Sequence, residues 1–194
     1  ILNNTAPEKV YASFDASASV PGTYKISVSQ LAQNDVIQTS SYASNTADQN
    51  SGNAVTIAIQ VGSGASETVS LAAGSASLDD LVTAINALNA DVVARVVEVS
   101  AGAYRVLVEG PQGASNSLSI TDSVFGLATS SNKLQAAQNS TLSVNGLSVA
   151  SSTNEVDDLV PGLKLDLMAT TSTAVVMAVT QDTSVAKSSI TALV

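Results

Sequence analysis

Short segments in which apolar and polar residues alternate recur along the chain, and dipeptides typical of tight turns stand between them. An alternation with period two predicts strands that bury one face, and tight turns between strands predict antiparallel pairing. The strongest turn signal is Asn145-Gly146, because both central residues of a type I′ hairpin turn need a positive φ. Pro161-Gly162 is the second signal, and an alternating run over residues 163–168 follows it. The sequence therefore predicts a mainly β protein.

Eight further segments are predicted to be strands because they alternate in the same way or are short β-branched runs. They cover residues 10–15, 23–30, 55–61, 67–71, 92–100, 104–109, 118–121 and 174–181. Pro21-Gly22 predicts a turn between the first two strands, and Gly102 predicts a hairpin turn between the fifth and sixth. Residues 38–53 and 128–139 are mostly polar and are predicted to be connections without strands.

One segment, residues 77–88, has the period of an amphipathic helix. Its apolar residues recur at steps of three and four and form a single stripe, made of Leu78, Leu81, Val82, Ile85 and Leu88. Ser77 is the predicted N-cap, and Asp80 takes the second position of a capping box. The residues from Ser184 onward are predicted to begin another helix, for which Ser184 would be the cap.

The order of these segments predicts an α+β protein, mainly β, with two domains. Residues 1–50 and 130–194 would form a discontinuous antiparallel β-rich domain. Residues 51–129 would form an inserted β-β-α-β-β domain, in which one main helix near 77–89 covers one face of a sheet. The chain begins without Met or a signal peptide, and its last apolar run stops abruptly. We therefore expect it to be a fragment of a longer protein.

Composition excludes several classes of function. The 194 residues include no histidine and no cysteine, which excludes disulfides, thiolate chemistry, Cys/His zinc sites and His-based catalytic triads. The net charge is −9 and the seven basic residues are scattered, so neither nucleic acid nor an anionic membrane surface is an expected partner. No apolar run approaches the roughly 20 residues that cross a bilayer.

Three neighbouring acids, Glu155, Asp157 and Asp158, form the most conspicuous candidate for chemistry. A glycosidase, however, needs its two carboxylates on opposite sides of a bound sugar, whereas these acids are neighbours in a turn-rich stretch. The stretch also lacks the alternating ligands and central glycine of an EF-hand loop. We expect these acids to lie in a solvated turn or at a helix N-terminus.

Two other motif matches are weaker. Ser184 and Lys187 have the spacing of the Ser-x-x-Lys nucleophile motif, but the partner motifs Ser-Asp-Asn and Lys-Thr-Gly are missing from the chain. Gly62-Ser63-Gly64 precedes a strand, whereas a dinucleotide-binding fingerprint opens a helix, so a hairpin turn is predicted there. The sequence thus predicts no catalytic residue, no cofactor and no metal ion.

The stretch 142–184 resembles the middle region of the flagellar hook-associated protein 2 family, which caps the flagellar filament. That family shows a hairpin with Asn-Gly, then a Ser-Ser-x-Asn-x-Val stretch, a Gly followed by alternating apolar residues, and an Asp-Thr-Ser sequence. The matching positions are Asn145, Gly146, Ser151, Ser152, Asn154, Val156, Gly162, Leu163, Leu165 and Asp182. Residues 21–33 and 77–120 are similar to two further blocks of the family, in the same order.

The resemblance implies the two outer domains of a cap subunit. Members of the family form a ring-shaped homo-oligomer at the filament tip, outside the cell, and flagellin inserts beneath the plate of the ring. The expected partners are therefore other copies of the chain and flagellin, and export would use the flagellar system without a cleaved signal peptide. Asn145, Gly146, Asn154, Pro161 and Gly162 would be structural motif residues.

Two expectations remain beside this resemblance. Because each copy carries −9, we expect the isolated fragment to associate weakly, and more strongly as salt screens the charge. The alternative function is an extracellular adhesin-type module that binds host glycans or surface proteins. Such a module would favour an aromatic-lined groove, and the chain has six aromatic residues, four Tyr and two Phe.

Overall fold

The structure is a computed structural model that describes residues 1–15, 20–88 and 91–180. Contacts divide the chain into two units: unit 1 consists of Ile1–Leu31 with Ser140–Val194, and unit 2 of Ala32–Asn139. Each unit has its own cluster of buried apolar side chains. The predicted terminal helix and the Ser184–Lys187 motif lie outside the described residues.

The described residues form fifteen strands and one α-helix. In chain order they are β1 (Leu2–Asn4), β2 (Val10–Phe14), β3 (Gly22–Gln30), β4 (Asn34–Gln38), β5 (Val55–Val61), β6 (Ser66–Leu71), α1 (Leu78–Asn86), β7 (Val93–Ser100), β8 (Ala103–Gln112), β9 (Leu118–Thr121), β10 (Lys133–Gln135), β11 (Ser140–Val144), β12 (Leu147–Ser151), β13 (Glu155–Val160), β14 (Leu163–Leu167) and β15 (Val175–Val179). Short 3₁₀ turns occur at Ala114–Asn116 and Ser130–Asn132.

Unit 1 contains two antiparallel sheets. One has the strand order β1-β15-β3-β11-β12 and the other has the order β13-β14-β2. The alternation in β14 shows how the sequence sets the core, because Leu163, Leu165 and Leu167 are buried while Lys164 between them is exposed. Each fully buried leucine contributes roughly 1.5–3 kcal/mol relative to an exposed one. The predicted common face of these three leucines is confirmed.

The Pro21-Gly22 turn does not join two paired strands. β2 pairs with β14, whereas β3 pairs with β11 and β15. The reason is that the partners of both strands come from the far end of the chain, so that β2 and β3 belong to different sheets. Local turn chemistry predicted the two strands but could not show this separation.

Unit 2 also contains two sheets, with the orders β10-β4-β8-β7 and β6-β5-β9. The prediction of a single sheet beneath the helix is therefore wrong. β6 and β9 occupy both edges of β5, so the β7–β8 hairpin pairs with β4 instead. The helix α1 contacts β6, β7 and β8.

The unit boundaries differ from the predicted ones at 50/51 and 129/130. Contacts divide the chain near residues 31/32 and 139/140 because β4 and β10, which were not predicted, pair with each other, and β4 also pairs with β8. The polar composition around these short strands concealed them, and the same holds for β1. Residues 39–54 contain no strand, as predicted for the first polar stretch, whereas the second contains β10.

The helix begins with the predicted capping box. The Ser77 Oγ accepts from the Asp80 N–H at 3.1 Å, and the Asp80 carboxylate accepts from the Ser77 N–H at 3.3 Å. The helix ends at Asn86, two residues earlier than the apolar stripe suggests. There the Asn86 side chain donates to the Ala94 carbonyl at 2.9 Å and accepts from the Ala94 N–H at 2.8 Å. The Asn86 side chain thus pairs with both backbone polar groups of Ala94 on the edge strand β7, as a residue of a neighbouring strand would.

Candidate structural motif and assembly surface

The Asn145-Gly146 turn joins β11 to β12. Both residues have a positive φ, 50° and 88° respectively, and Val144 pairs with Leu147 directly across the turn. This is the backbone that a type I′ turn requires, and Asn followed by Gly adopts it with the least steric cost. The predicted hairpin is confirmed.

Asn145 also connects the hairpin to a third strand, β3, by two hydrogen bonds. Its N–H donates to the Lys25 carbonyl at 2.9 Å, and its Oδ1 accepts from the Lys25 N–H at 2.9 Å. The last strand pair between β11 and β3 is Val144 with Ile26, so the turn residue extends this pairing by one position. Lys25 lies 120 positions away in the chain, which is why the local sequence did not reveal this contact.

The Pro161-Gly162 turn joins β13 to β14. Gly162 has φ 74°, and Val160 pairs with Leu163 across the turn. Proline followed by a residue with positive φ matches the type II pattern, in which glycine is favoured at the second central position. The Gly162 carbonyl accepts from the Asp15 N–H at 2.8 Å, so the turn also holds the end of β2.

Asn154 ends the connection between β12 and β13. Its carbonyl accepts from the Leu167 N–H at 2.8 Å, next to the pair of Glu155 with Asp166. The fully buried Ser140 Oγ, on β11, donates to the Thr153 carbonyl at 2.8 Å in the same connection. The Ser-Ser-x-Asn stretch is therefore held to one sheet of unit 1 by a backbone hydrogen bond and to the other by the Ser140 hydroxyl.

The acids of the sequence lie on a strand, so the expectation of a turn or a helix N-terminus is wrong. Glu155, Asp157 and Asp158 all belong to β13, which became a strand because its Val156 and Val160 are buried in the core. Glu155 accepts from the Lys164 ammonium at 2.7 Å on the exposed face. This hydrogen bond, followed by the charge of Asp157, raises the pKa of Lys164.

The described parts of the chain hold no group of three Asp or Glu residues that could bind a metal ion. They also contain no helix long and apolar enough to cross a bilayer.

A buried carboxylate connects the two sheets of unit 2. Asp35, on β4, is fully buried and accepts from the Leu118 N–H at 2.5 Å, the Ala137 N–H at 2.6 Å and the Lys133 ammonium at 2.7 Å. We call this arrangement the Asp35 clasp. A cavity of about 290 Å³ lies beside it, lined by Ile37, Leu118, Ser119, Ile120, Leu127, Ala128, Thr129, Ser130 and Lys133. Sequence reasoning missed the clasp because Asn34-Asp35 has the composition of a turn.

A second carboxylate organises the loop that follows β9. Asp122 accepts from the N–H groups of Val124, Phe125 and Leu127 at 2.9–3.1 Å. The Tyr42 hydroxyl donates to the Val124 carbonyl at 2.7 Å, and its ring meets Phe125 edge-on at 6.3 Å. Burial, and then the nearby negative charge of Asp122, raise the pKa of Tyr42.

Exposed apolar side chains mark the surfaces available for contact. In unit 1, Tyr11 is 53% and Met168 63% exposed, and the Lys9 carbonyl accepts from the Met168 N–H beside Tyr11. Tyr11 lies opposite Asp166 on the outer face of the β2–β14 pair.

Two edge strands also carry exposed apolar side chains. Leu147, at the start of the edge strand β12, is 68% exposed. In unit 2, Val93 and Val99 are exposed on the edge strand β7.

Two β-rich units built from hairpins, with exposed apolar side chains on their surfaces, are typical of structural and binding proteins. Comparison with known proteins shows which proteins the chain resembles. A family model described as "Flagellar hook-associated protein 2 C-terminus" matches residues 137–194. The flagellar hook-associated protein 2 of Escherichia coli K12 is 28% identical over 170 residues, covering 80% of this chain and 36% of the relative. The A-type protein of Pseudomonas aeruginosa is 28% identical over 196 residues, covering 88% of this chain and 40% of the relative.

Solved structures agree with these relatives. The D2-D3 domains of the flagellar cap protein FliD from Escherichia coli superpose with a TM-score of 0.79 at 27% identity, covering 94% of this chain and 98% of theirs. Those from Serratia marcescens give a TM-score of 0.69 at 26% identity, covering 85% and 95%. The chain is similar to flagellar hook-associated protein 2 and, over most of its length, to this D2-D3 segment. It spans little more than a third of the length of the curated relatives. The predicted fold class, mainly β with one main helix, is confirmed.

Proposed function

We propose that the chain forms the plate of a flagellar cap subunit. In this proposal the whole protein assembles into a ring at the filament tip, and the ring promotes insertion of flagellin and growth of the filament. The observation that carries the proposal is the match with cap-protein D2-D3 domains over almost the full length of both chains. The relatives reported above are named as hook-associated and cap proteins, and none of them favours the adhesin alternative.

The surface chemistry supports a role in assembly. A closed ring of identical subunits needs two different, complementary patches on each subunit. Tyr11 and Met168 in unit 1, and Val93 and Val99 in unit 2, supply apolar area for such patches. Capping in this form requires positioning of other subunits and no covalent step, so we propose that the chain has no enzymatic activity. Its partners are other copies of itself and flagellin.

The proposal extends to location and organisation. The protein would act outside the cell at the flagellum tip, after passage through the flagellar export system without a cleaved signal peptide. Units 1 and 2 would each be a domain, the first discontinuous and the second inserted into it. Asn145, Gly146, Asn154, Pro161 and Gly162 would keep the discontinuous domain in shape by fixing its two hairpins.

Complementation tests this function. The full-length protein that contains this chain is produced in a flagellated strain that lacks its own cap protein, and filaments are counted by electron microscopy. We expect filaments to be restored, and to be shortened when Tyr11→Asp and Met168→Asp are introduced together. Ser13→Asp is the control, because it adds charge to the same outer face without removing apolar area. Restored export with flagellin accumulating unassembled in the medium would contradict the proposal, and glycan binding by the monomer would favour the adhesin.

A further inference from the structure

Asn145-Gly146 is the single Asn-Gly dipeptide of the chain, and the hairpin places it at the surface. Both residues are exposed, and nothing lies within 4 Å of the position that a Cβ on Gly146 would occupy. Asparagine is among the thermolabile residues of proteins. A following glycine leaves its own nitrogen least hindered, because it carries no side chain.

We propose that Asn145-Gly146 is a site of spontaneous deamidation, that its contact with Lys25 restrains the reaction, and that the rearranged product detaches the hairpin from β3. The proposal concerns a covalent modification that needs water and no enzyme. It does not depend on the function proposed above.

The reaction balances without any further reagent. The Gly146 nitrogen attacks Cγ of Asn145, the Cγ–Nδ2 bond breaks, and Nδ2 leaves as ammonia with the proton that the Gly146 nitrogen loses. The product is a five-membered succinimide ring. Water then opens this ring at one of its two carbonyls. Opening at the former main-chain carbonyl carbon gives isoaspartate, in which the main chain runs through Cβ and Cγ, and opening at Cγ gives aspartate.

The structure shows what must be released before the ring can close. The Asn145 Oδ1 accepts from the Lys25 N–H at 2.9 Å, and the Asn145 N–H donates to the Lys25 carbonyl at 2.9 Å. The Oδ1 hydrogen bond holds the side chain toward β3 and the N–H hydrogen bond holds the main chain there, whereas attack requires Cγ to turn toward the Gly146 nitrogen. One such hydrogen bond, if it must break first, slows the reaction by about tenfold.

The two products affect the hairpin differently. Aspartate keeps an oxygen that can accept from the Lys25 N–H, so the turn retains its shape with one additional negative charge. Isoaspartate lengthens the main chain between Val144 and Leu147, the residues that pair directly across the turn. A type I′ turn has two central residues of fixed geometry, so the longer link cannot keep both this pair and the contact with Lys25.

The test follows conversion at each asparagine by peptide mapping with mass spectrometry, using isoaspartate-specific fragmentation. The folded chain, the same chain in urea and a synthetic peptide of residues 140–151 are incubated in mildly alkaline buffer at 37 °C. The peptide keeps the hairpin sequence but lacks Lys25. We expect Asn145 to convert faster than every other asparagine in the folded chain. We also expect this conversion to be about tenfold slower than in the peptide or in urea, as the loss of one hydrogen bond predicts.

Conversion at Asn145 that is no faster than at Asn139, or equally fast in the folded chain and the peptide, would overturn the proposal. Hydrogen exchange then tests the structural consequence on the purified isoaspartate form. Its Lys25 and Leu147 amides should exchange faster than those of the Asn145→Asp variant, which carries the same charge on a normal main chain. Equal exchange in the two forms would refute detachment of the hairpin.

Discussion

The Asp35 clasp should carry a large share of the stability of unit 2. Asp35→Asn preserves the size of the side chain but removes the charge that accepts from three donors. The amide retains one acceptor oxygen and presents N–H groups to the remaining donors. Removing one partner of a buried ion pair costs about 3–5 kcal/mol. Because the Lys133 side chain is 35% exposed and can be rehydrated, we expect the lower end, about 3 kcal/mol.

A double-mutant cycle with Lys133 separates the ion pair from the rest of the clasp. Lys133→Met leaves the Asp35 carboxylate with its two backbone donors but without a counter-charge, and should also cost about 3 kcal/mol. Once Asp35 is already Asn, the same lysine substitution should cost less than about 1 kcal/mol, because contacting residues are not additive. Glu67→Gln removes an exposed charge from unit 2 and serves as control, with an expected effect within about 0.5 kcal/mol.

Hydrogen exchange is the suitable assay, because a chain with two units need not unfold in one step. The Leu118 and Ala137 amides, which donate to Asp35, should lose protection in Asp35→Asn, while amides of unit 1 should keep theirs. A cost below about 1 kcal/mol for Asp35→Asn would refute the view that this carboxylate holds the two sheets together. Strict additivity of the two substitutions would refute the ion pair as the cause.

Four further predictions concern other parts of the chain. Ser77→Ala removes the N-cap of α1 and should destabilise unit 2 by about 1 kcal/mol, measured by urea titration, with Ser66→Ala as control. Because the folded-state pKa of Tyr42 is raised, its contribution to stability is complete below the ordinary pKa of 10.0 and is lost as the pH rises through the folded value. Tyr42→Phe should therefore flatten the alkaline loss of stability, and an unchanged pH profile would contradict the assignment. Light scattering of the isolated chain should show weak association that increases with salt, whereas tight assembly at low salt would oppose the charge argument. Residues 32–139, produced alone, should keep the hydrogen-exchange pattern of unit 2 if that unit is a domain.

The sequence predicted those features whose causes lie within a few neighbouring residues. The Asn145-Gly146 hairpin, the capping box of α1 and the buried leucines of β14 each depend on turn chemistry or local periodicity. It failed where the cause lies far along the chain. The Lys25 contact of Asn145 spans 120 positions, and the donors of Asp35 come from segments more than 80 positions away. Short polar strands such as β4 and β10 exist because partners lie beside them, and no local pattern reveals that.

The Asn86 side chain at the edge of β7 affects how the chain aggregates when many copies are close together. An unpaired edge strand can pair with the same strand of a neighbouring molecule. Repeated pairing of this kind leads to aggregation and fibres. One amide that satisfies both polar groups of Ala94 blocks the first step of that growth, at the end of the strand where Val93 is exposed. In the ring proposed above, this amide would prevent strand pairing with further copies of the chain at this position.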